Sequence, residues 1–392
     1  MPRDTALTSV VAPAGGHAVV GRGVPDDVWA RVESSLADGR APSTRRNYAR
    51  EWRGFAAFAD SRGYRVAPAP SAAVADYLLH LEDTLTPDGA RAFSLARIEL
   101  AAAAIKYVHR QQSAAGSDGG GVGEVPLWTH PLIGDTLAAI RRRYARTGAR
   151  PRRREDPLLL SDLSAMITTA RADAFSWRRR LRERRDTAAL LLGWVGAMRR
   201  SEIVGLTTDD VALTPHGWTI RLGVAKTDQT GTGTRKALPV GEHLVTCGPC
   251  AYLRWVQCHT AFNARGRSGL IRLLAGPDPH TSHICGRAPV TVVVAPLFRS
   301  ITAASDLTDR APGGQLIHGI VRKRLAAARP EVDVTRYGAH SLRAGFVTEA
   351  FAAGHQPVEI MRQTGHRSVE SLLIYARDHN IHSGNAAATI GL

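Results

Sequence analysis

The chain has 392 residues, of which 44% are hydrophobic, and its 51 Lys and Arg against 35 Asp and Glu give a formal net charge of +16. This length exceeds what one hydrophobic core usually serves, so two domains are expected, and the positive charge favours a polyanionic partner, with nucleic acid first. Four cysteines and no apolar run near the roughly 20 residues of a membrane span argue against disulfide-rich secreted and membrane-embedded proteins, so we expect a cytoplasmic protein, nucleoid-associated in a prokaryote.

The first part of the chain is predicted to be helical. Residues 1–24 are rich in Gly, Ala, Pro and Val without a period, and we expect a disordered tail there. Ser43 is a plausible N-cap for a helix over 44–63, in which aromatic residues recur every three or four positions. Further helices are predicted over 71–83, 90–112 and 131–146. Residues 25–147 are therefore interpreted as a small all-helical domain.

Arginines crowd the end of this region, in the stretch RRRYARTGARPRRRED at 141–156. Gly148 and Pro151 interrupt the helix, so residues 148–157 are interpreted as an interdomain linker. The run is either a solvated charged face or a strap that lies along a phosphate backbone. The second alternative makes these arginines candidate DNA-backbone contacts: Arg45, Arg46, Arg141, Arg142, Arg152 and Arg153.

Residues 158–379 are interpreted as a second domain that mixes helices with a few strands. The predicted elements are helices over 184–198 and 241–262, and two strands over 217–227 and 234–240 joined by a polar turn. Residues 264–311 contain too many Gly, Pro and His for an assignment. The predicted fold class is mainly α with a small β-sheet (α+β).

Polar residues lie beside apolar structure in the stretch GAMRRSEIVGL at 196–206. Arg199 stands where an apolar helix ends, and Glu202, three residues on, is placed to orient its guanidinium. The predicted hairpin holds two of only four lysines, and a lysine on a mobile turn can protonate a leaving group. Lys226 is the better candidate and Lys236 stays open. The ordinary alternative for all of them is a solvated surface residue.

Two histidines mark further polar positions. His340 and Arg343 lie three apart at the start of a predicted helix and so share a face, and the N-terminal N–H groups of that helix would be available to an anion. His366 and Tyr375 are nine apart, and nine steps of about 100° on one helix would place them on opposite sides. His366 must then lie in a turn that precedes a helix capped by Ser368. Tyr375 would lie about two turns along this helix, where its side chain and that of His366 could reach one point.

Each of these residues has a structural alternative, such as a core tyrosine or a histidine bonded to backbone. Together, two arginines, two histidines, a lysine and a tyrosine suit a phosphodiester better than an apolar core. Arginine binds phosphate oxygens in bidentate fashion and neutralises the transition-state charge. A tyrosine with an ordinary pKa near 10 needs such positive surroundings to act as a nucleophile.

Cysteine and histidine also suggest a metal site. Cys247 and Cys250 have the spacing of a ligand pair. The later candidates are Cys258, His259, His280, His283 and Cys285. Because their spacing fits no strong zinc template, buried free thiols and no metal are expected.

In the boxes GAMRRSEIVGL, HSLR and GHRSVESLLIY, which occur in this order, the chain resembles the tyrosine recombinases, the family of phage integrases and chromosome-dimer resolvases. The resemblance covers roughly residues 25–380, and the helical domain resembles the family's core-binding domain. Arg200 stands where the family often has a small polar residue, so Arg199 and Arg200 compete, and the spacing from Gly196 favours Arg199.

The resemblance implies roles for six residues and a set of partners. Arg199 and Arg343 would clamp the scissile phosphate, and Tyr375 would attack it to leave a 3′-phosphotyrosyl bond and a free 5′-hydroxyl. His366 would bond a non-bridging oxygen, Lys226 would protonate the departing 5′-oxygen, and His340 would take or hold the tyrosine proton. The implied partners are a double-stranded recombination site, a homotetramer in which residues 380–392 pack on a neighbouring protomer, and optionally a directionality or DNA-bending protein. No cofactor or metal is implied.

Two other functions use the same features. A type IB topoisomerase or telomere-resolving enzyme would carry similar residues, but the compact layout and helical clamp domain favour a recombinase. A DNA-binding regulator that had lost catalysis would keep the fold. All six candidate positions are filled, which argues against such a regulator.

Overall fold

The computed structural model describes residues 42–114, 126–148, 154–223, 233–276, 281–286 and 293–373. The chain divides into two compact units, residues 1–153 and 154–392. Helices dominate both units, and the sheet found in the described ranges is small and lies in the second unit, which confirms the predicted fold class. Within these ranges, no helix combines the length and the apolar character that a membrane crossing requires.

Among its described residues, the first unit packs four helices around an aromatic core. They are α1 (Pro42–Ser61), α2 (Ser71–Asp83), α3 (Leu95–Ala114) and α4 (Pro131–Thr147). Trp52, Phe55 and Phe58 of the predicted stripe are buried in this core. The predicted tail over 1–24 lies outside the described residues.

Two helix starts in this unit differ from the prediction. The first helix already includes Pro42, so Ser43 lies inside it instead of capping it. Proline is common at the first helical position because the N–H that it lacks would have no partner in the helix there. The third begins at Leu95 and not at 90, because a bridge between Leu85 and Arg91 closes a turn just before it.

Among its described residues the second unit contains seven complete α-helices, the start of another at 369–373, and three strands. The helices are α5 (Leu160–Ala172), α6 (Trp177–Val195), α7 (Arg200–Gly205), α8 (Gly248–Ala275), α9 (Gln315–Ala328), α10 (Ala339–Ala352) and α11 (Pro357–Thr364). The core forms where α6 packs against α8, with Tyr252, Trp255 and Phe298 fully buried.

The strands β1 (Val211–Thr214), β2 (Gly217–Leu222) and β3 (Thr234–Ala237) form one antiparallel sheet in the order β1-β2-β3. The β2–β3 pair was predicted, and β1, a short strand with a half-exposed pattern, was not. Ile220 of β2 pairs with Lys236 of β3, so both side chains point to the buried face. The joining turn, with Lys226, lies outside the described residues.

The prediction for 241–262 was wrong at its start. Residues 241–247 form a loop with a short 3₁₀ turn, and α8 begins at Gly248, followed by a proline at a position that tolerates it. The helix then runs past 264, through a kink at Arg265 and Gly266, to Ala275. Part of the unassigned region is therefore helical.

Candidate active site

A tight turn between α6 and α7 positions Arg199. Ala197 lies in this turn with φ 45°, a left-handed conformation that is uncommon for a residue with a side chain. Arg199 follows as the N-cap of α7, where Glu202 accepts hydrogen bonds from its backbone N–H at 2.8 Å and from its Nη1 at 2.7 Å. Glu202 therefore contacts the guanidinium that it is predicted to orient.

The structure also separates Arg199 from Arg200. Arg200 is exposed, and its side chain lies against Gly314, where a Cβ would come within 2.9 Å of Nε. Arg199 is 33% exposed, and its charge lowers the pKa of two other site residues described below. Of the two arginines, Arg199 is the one directed towards the other candidate residues.

Arg343 lies on α10 and is only 1% exposed. Its Nη1 donates to two backbone carbonyls, Ala197 O at 2.7 Å and Thr364 O at 2.6 Å. These carbonyls come from the α6–α7 turn and from the last residue of α11. The guanidinium therefore joins both predicted arginine boxes to the Gly-His box.

The N-terminus of α10 is already occupied. The backbone N–H groups of His340 and Ser341 donate to Glu155 Oε2 at 2.6 and 3.2 Å. Gly338, just before the helix, has no room for a side chain, because a Cβ would lie 2.3 Å from Glu155 Oε1. The prediction that this helix end offers N–H groups to a bound anion was wrong, because a carboxylate of the same chain takes them. His340 itself has an exposed side chain.

The Gly-His box folds as the spacing predicted. Gly365 ends α11 with φ 67°, a left-handed conformation that glycine adopts readily. His366 lies in the following turn, and Ser368 Oγ accepts from Ser371 N–H at 3.3 Å, which caps a helix described from 369 to 373. Tyr375 and residues 380–392 lie outside the described residues.

His366 is half-buried in a positive environment. Burial lowers the pKa of its imidazole to about 3. Positive charge adds to this depression, and it comes from Arg343, Arg199, His340 and Lys236. The ring is therefore neutral at physiological pH, with its Nδ1 2.8 Å from Thr364 Oγ1.

Lys236 is the candidate lysine that the described residues include. It is 2% exposed, and its Nζ donates to Gln363 O at 2.5 Å. Its pKa is lowered to about 8, mainly by burial; Glu202 opposes this shift, and the guanidiniums of Arg343 and Arg199 add to it. The structure thus places Lys236 with the arginines and His366.

The sequence did not predict the contacts that three residues make in this site. Gln363 donates through Nε2 to Val195 O and Ala237 O, both at 2.8 Å, and so joins α11 to the end of α6 and to β3. Thr364 contacts His366, and Glu155 caps α10. The sequence showed no sign of a role for Gln363 and Thr364 apart from their position next to the Gly-His box. Glu155 lies in an arginine-rich stretch, where an acidic residue is expected to be solvated.

The candidate DNA-backbone arginines belong to the first unit. Arg46 and Arg142 are exposed, Arg45 is half-buried, and Arg141 forms an ion pair with Glu99 at 2.7 Å. Arg152 and Arg153 lie outside the described residues.

The four cysteines are buried, and none of them forms a disulfide. Cys258 Sγ lies 3.7 Å from Arg254 O, and His259 Nε2 lies 3.0 Å from Leu297 O, so both are bonded within the core. His280 is outside the described residues. The other four predicted ligand candidates, Cys247, Cys250, His283 and Cys285, lie together.

The chain was compared with known proteins. No family model matches it. An integrase/recombinase XerD homolog from Selenomonas ruminantium is 28% identical over 356 residues, which cover 91% of this chain and 86% of the relative. The XerH recombinase bound to palindromic difH substrate in a post-cleavage complex aligns with a TM-score of 0.49 and 14% identity, over 81% of this chain and 71% of that one. A lambda integrase dimer bound to a COC′ core site aligns with a TM-score of 0.47 and 15% identity, over 91% and 79%.

The similarity to the XerD homolog spans nearly the whole chain, so it is not confined to one motif. It agrees with the order of the three boxes, which the fold brings together through Arg343, Ala197 and Thr364. Over nearly its whole length the chain is therefore similar to an integrase/recombinase, in agreement with the resemblance of its three boxes to the tyrosine recombinases.

Proposed function

We propose that the chain is a site-specific DNA recombinase that cleaves and rejoins DNA strands through a 3′-phosphotyrosyl intermediate. The observation that carries the proposal is the convergence of Arg199, Arg343 and Lys236 on a neutral His366, with Glu202 as the carboxylate held by Arg199. Such an excess of positive charge suits a phosphodiester, whose transition state gains negative charge. The name of the XerD homolog, an integrase/recombinase, supports this function.

The proposed chemistry exchanges one phosphodiester for another. Tyr375 Oη attacks the phosphorus, forming the O–P bond as the bond from phosphorus to the 5′-oxygen breaks. The phenol proton passes to His340, and the Lys226 ammonium gives a proton to the departing 5′-oxygen. The 5′-hydroxyl of another strand then reverses these steps. The phosphotyrosyl ester conserves the energy of the cleaved bond, so rejoining requires no nucleotide hydrolysis.

Arg199, Arg343 and His366 would act on the non-bridging oxygens. The Thr364 hydroxyl lies 2.8 Å from His366 Nδ1, and a neutral ring carries its proton on one nitrogen. Donation by the hydroxyl to Nδ1 places the ring proton on Nε2, where it can bond a phosphate oxygen. The depressed pKa of His366 supports this tautomer over an imidazolium.

The two lysines of the hairpin take different roles in this proposal. Lys236 Nζ is held by Gln363 O, two residues before Gly365. We assign it to positioning the Gly365–His366 turn and to the positive potential of the site. Lys226, on the turn between β2 and β3, is the proposed proton donor.

The domains follow from the same function. We propose that residues 25–147 form a core-binding domain, that 148–157 link it to a catalytic domain at 158–379, and that the two clamp duplex DNA. Arginines of the first domain and linker would contact the DNA backbone. A tetramer on DNA, with residues 380–392 packed on a neighbouring protomer and an optional accessory protein, completes the proposed assembly.

A covalent trapping experiment tests the function. Duplexes selected from a random library for tight binding are nicked beside the bound site, so that cleavage releases a short strand and traps the intermediate. Wild type is expected to give a protein–DNA band on a denaturing gel, and Tyr375→Phe is expected to give none. Tyr337→Phe, a half-buried tyrosine outside the boxes, is the matched control and should keep the band.

Two results would contradict the proposal. An adduct that persists in Tyr375→Phe would assign the nucleophile to another residue. Tight binding by the wild type without any adduct would favour a non-catalytic DNA-binding regulator.

A further inference from the structure

A second cluster of reactive side chains plays no part in the proposed chemistry. Cys247 and Cys250 flank the first residues of α8, and His283 and Cys285 lie in the segment 281–286. One ligand atom from each residue can be chosen so that all four lie within 4.8 Å of one another. His283 Nδ1 is 3.5 Å from Cys250 Sγ and 3.8 Å from Cys285 Sγ.

These distances match a tetrahedral zinc site. Zinc binds sulfur at about 2.3 Å and histidine nitrogen at about 2.1 Å, so tetrahedral angles put a nitrogen about 3.6 Å from each sulfur and two sulfurs about 3.8 Å apart. The two observed nitrogen–sulfur distances lie within a few tenths of an ångström of that value. None of the four cysteines forms a disulfide in this structure.

The surroundings fix the ligands. Cys247, Cys250 and Cys285 are buried, with Leu244 and Ile284 packed against them. The Ile284 N–H donates to Cys250 Sγ at 3.3 Å, an outer-shell bond of the kind that orients a thiolate ligand. The three cysteines therefore lie among apolar side chains, and the Cys250 sulfur is also held by a backbone N–H.

The segment that carries the later ligands is also anchored to the sheet. Trp218 of β2 donates through Nε1 to Cys285 O at 2.9 Å. Gly241 packs so closely against Cys247 that a Cβ on residue 241 would lie 2.9 Å from Cys247 Cα. His283 is exposed, which leaves one side of the cluster open for the entry of an ion.

We propose that Cys247, Cys250, His283 and Cys285 bind one zinc ion in a structural site. Four protein ligands complete the tetrahedron and leave no position for a substrate, which distinguishes structural from catalytic zinc. The ion would join the start of α8 to the segment 281–286 across 33 to 38 residues of chain. This proposal replaces the expectation of free thiols, which rested on ligand spacing alone.

Metal content of the full-length, tag-free protein, purified without chelator, tests the site independently of DNA cleavage. Wild type is expected to hold about one zinc per chain by mass spectrometry, and Cys250→Ser and Cys285→Ser are expected to hold less than about a tenth of that. Substitution with Co²⁺ should give the visible bands of a tetrahedral thiolate complex. Cys258→Ala and His243→Asn, a cysteine and an exposed histidine outside the cluster, should retain the metal.

His283→Asn keeps the test valid if the serine variants do not fold, because His283 is exposed. This variant should fold with an unchanged circular dichroism spectrum and lose its metal to a chelator at least about tenfold faster than wild type. Wild type without zinc and without Co²⁺ bands would overturn the proposal. If only two of the four thiols could be titrated under non-reducing denaturation, the protein would contain a disulfide, and the proposal would also fail. A His283→Asn variant that holds zinc as tightly as wild type does would overturn it as well.

Discussion

Replacing Lys236 by methionine is expected to stabilise the protein while it slows DNA cleavage. Lys236 is 2% exposed, and burial lowers the pKa of its ammonium from 10.5 to about 8. The difference, 10.5 − 8 = 2.5 pKa units, corresponds to a cost of about 3 kcal/mol for keeping the charge in the folded protein at pH 7. Methionine fills the same space without the charge.

The substitution also removes a hydrogen bond. Lys236 Nζ donates to Gln363 O at 2.5 Å, and a buried carbonyl left without this donor costs about 1–2 kcal/mol. The expected net gain in the free energy of unfolding is therefore about 1–2 kcal/mol at pH 7. Cleavage should slow, because the Gly365–His366 turn loses its attachment to β3 and the site loses positive charge.

The pH dependence of this gain has a defined sign. The pKa of Lys236 is lower in the folded than in the unfolded state, so between pH 8 and 10.5 the unfolded state binds more protons. Lys236 costs the wild type no stability above its unfolded pKa of 10.5. The cost grows as the pH falls and is complete below about pH 8. The advantage of Lys236→Met should therefore be largest below pH 8, shrink as the pH rises, and reverse by about pH 10.5, where only the lost hydrogen bond remains.

Urea unfolding at pH 7 and pH 10, followed by circular dichroism, measures these differences. Lys323→Met, which replaces an exposed lysine of α9, is the control and should change stability by less than about 0.5 kcal/mol at either pH. The reasoning fails if Lys236→Met is less stable than wild type at pH 7, or if its advantage does not shrink at high pH. Cleavage at the wild-type rate would refute the positioning role.

Three further predictions test the proposed roles. Lys226→Ala should slow cleavage about 10²- to 10⁴-fold, and a substrate with sulfur at the 5′-bridging position should restore the rate, because a thiolate leaves without a proton; Lys236→Ala should not be restored, and equal behaviour of the two variants would refute the assignment. Thr364→Val should lower the rate of adduct formation about tenfold without weakening DNA binding, since it removes only the hydroxyl that orients His366; an unchanged rate would exclude that role. Glu155→Gln should lower the free energy of unfolding by about 1 kcal/mol in urea titrations at pH 7, because the α10 N-terminus loses a negative charge, and unchanged stability would contradict this.

Local patterns in the sequence determined much of the architecture. Apolar and aromatic periodicity located α2 and α4 to within one residue, because side chains three or four apart share a helix face whatever the rest of the chain does. The three-residue spacing of Arg199 and Glu202 predicted their contact. The nine-residue spacing of His366 and Tyr375 predicted that His366 lies in a turn before the Ser368 cap. The roles of the six proposed catalytic residues remain predictions.

Only the tertiary structure decided which distant residues share a site. Glu155 caps α10 across 185 residues, Lys236 meets Gln363 O across 127, and His283 approaches Cys250 across 33. These contacts exist because burying apolar faces of α6, α8 and the sheet brings segments together that carry no mutual signal in a single sequence. Burial also sets the pKa values of Lys236 and His366, since the cost of a charge depends on the solvent that the folded chain excludes.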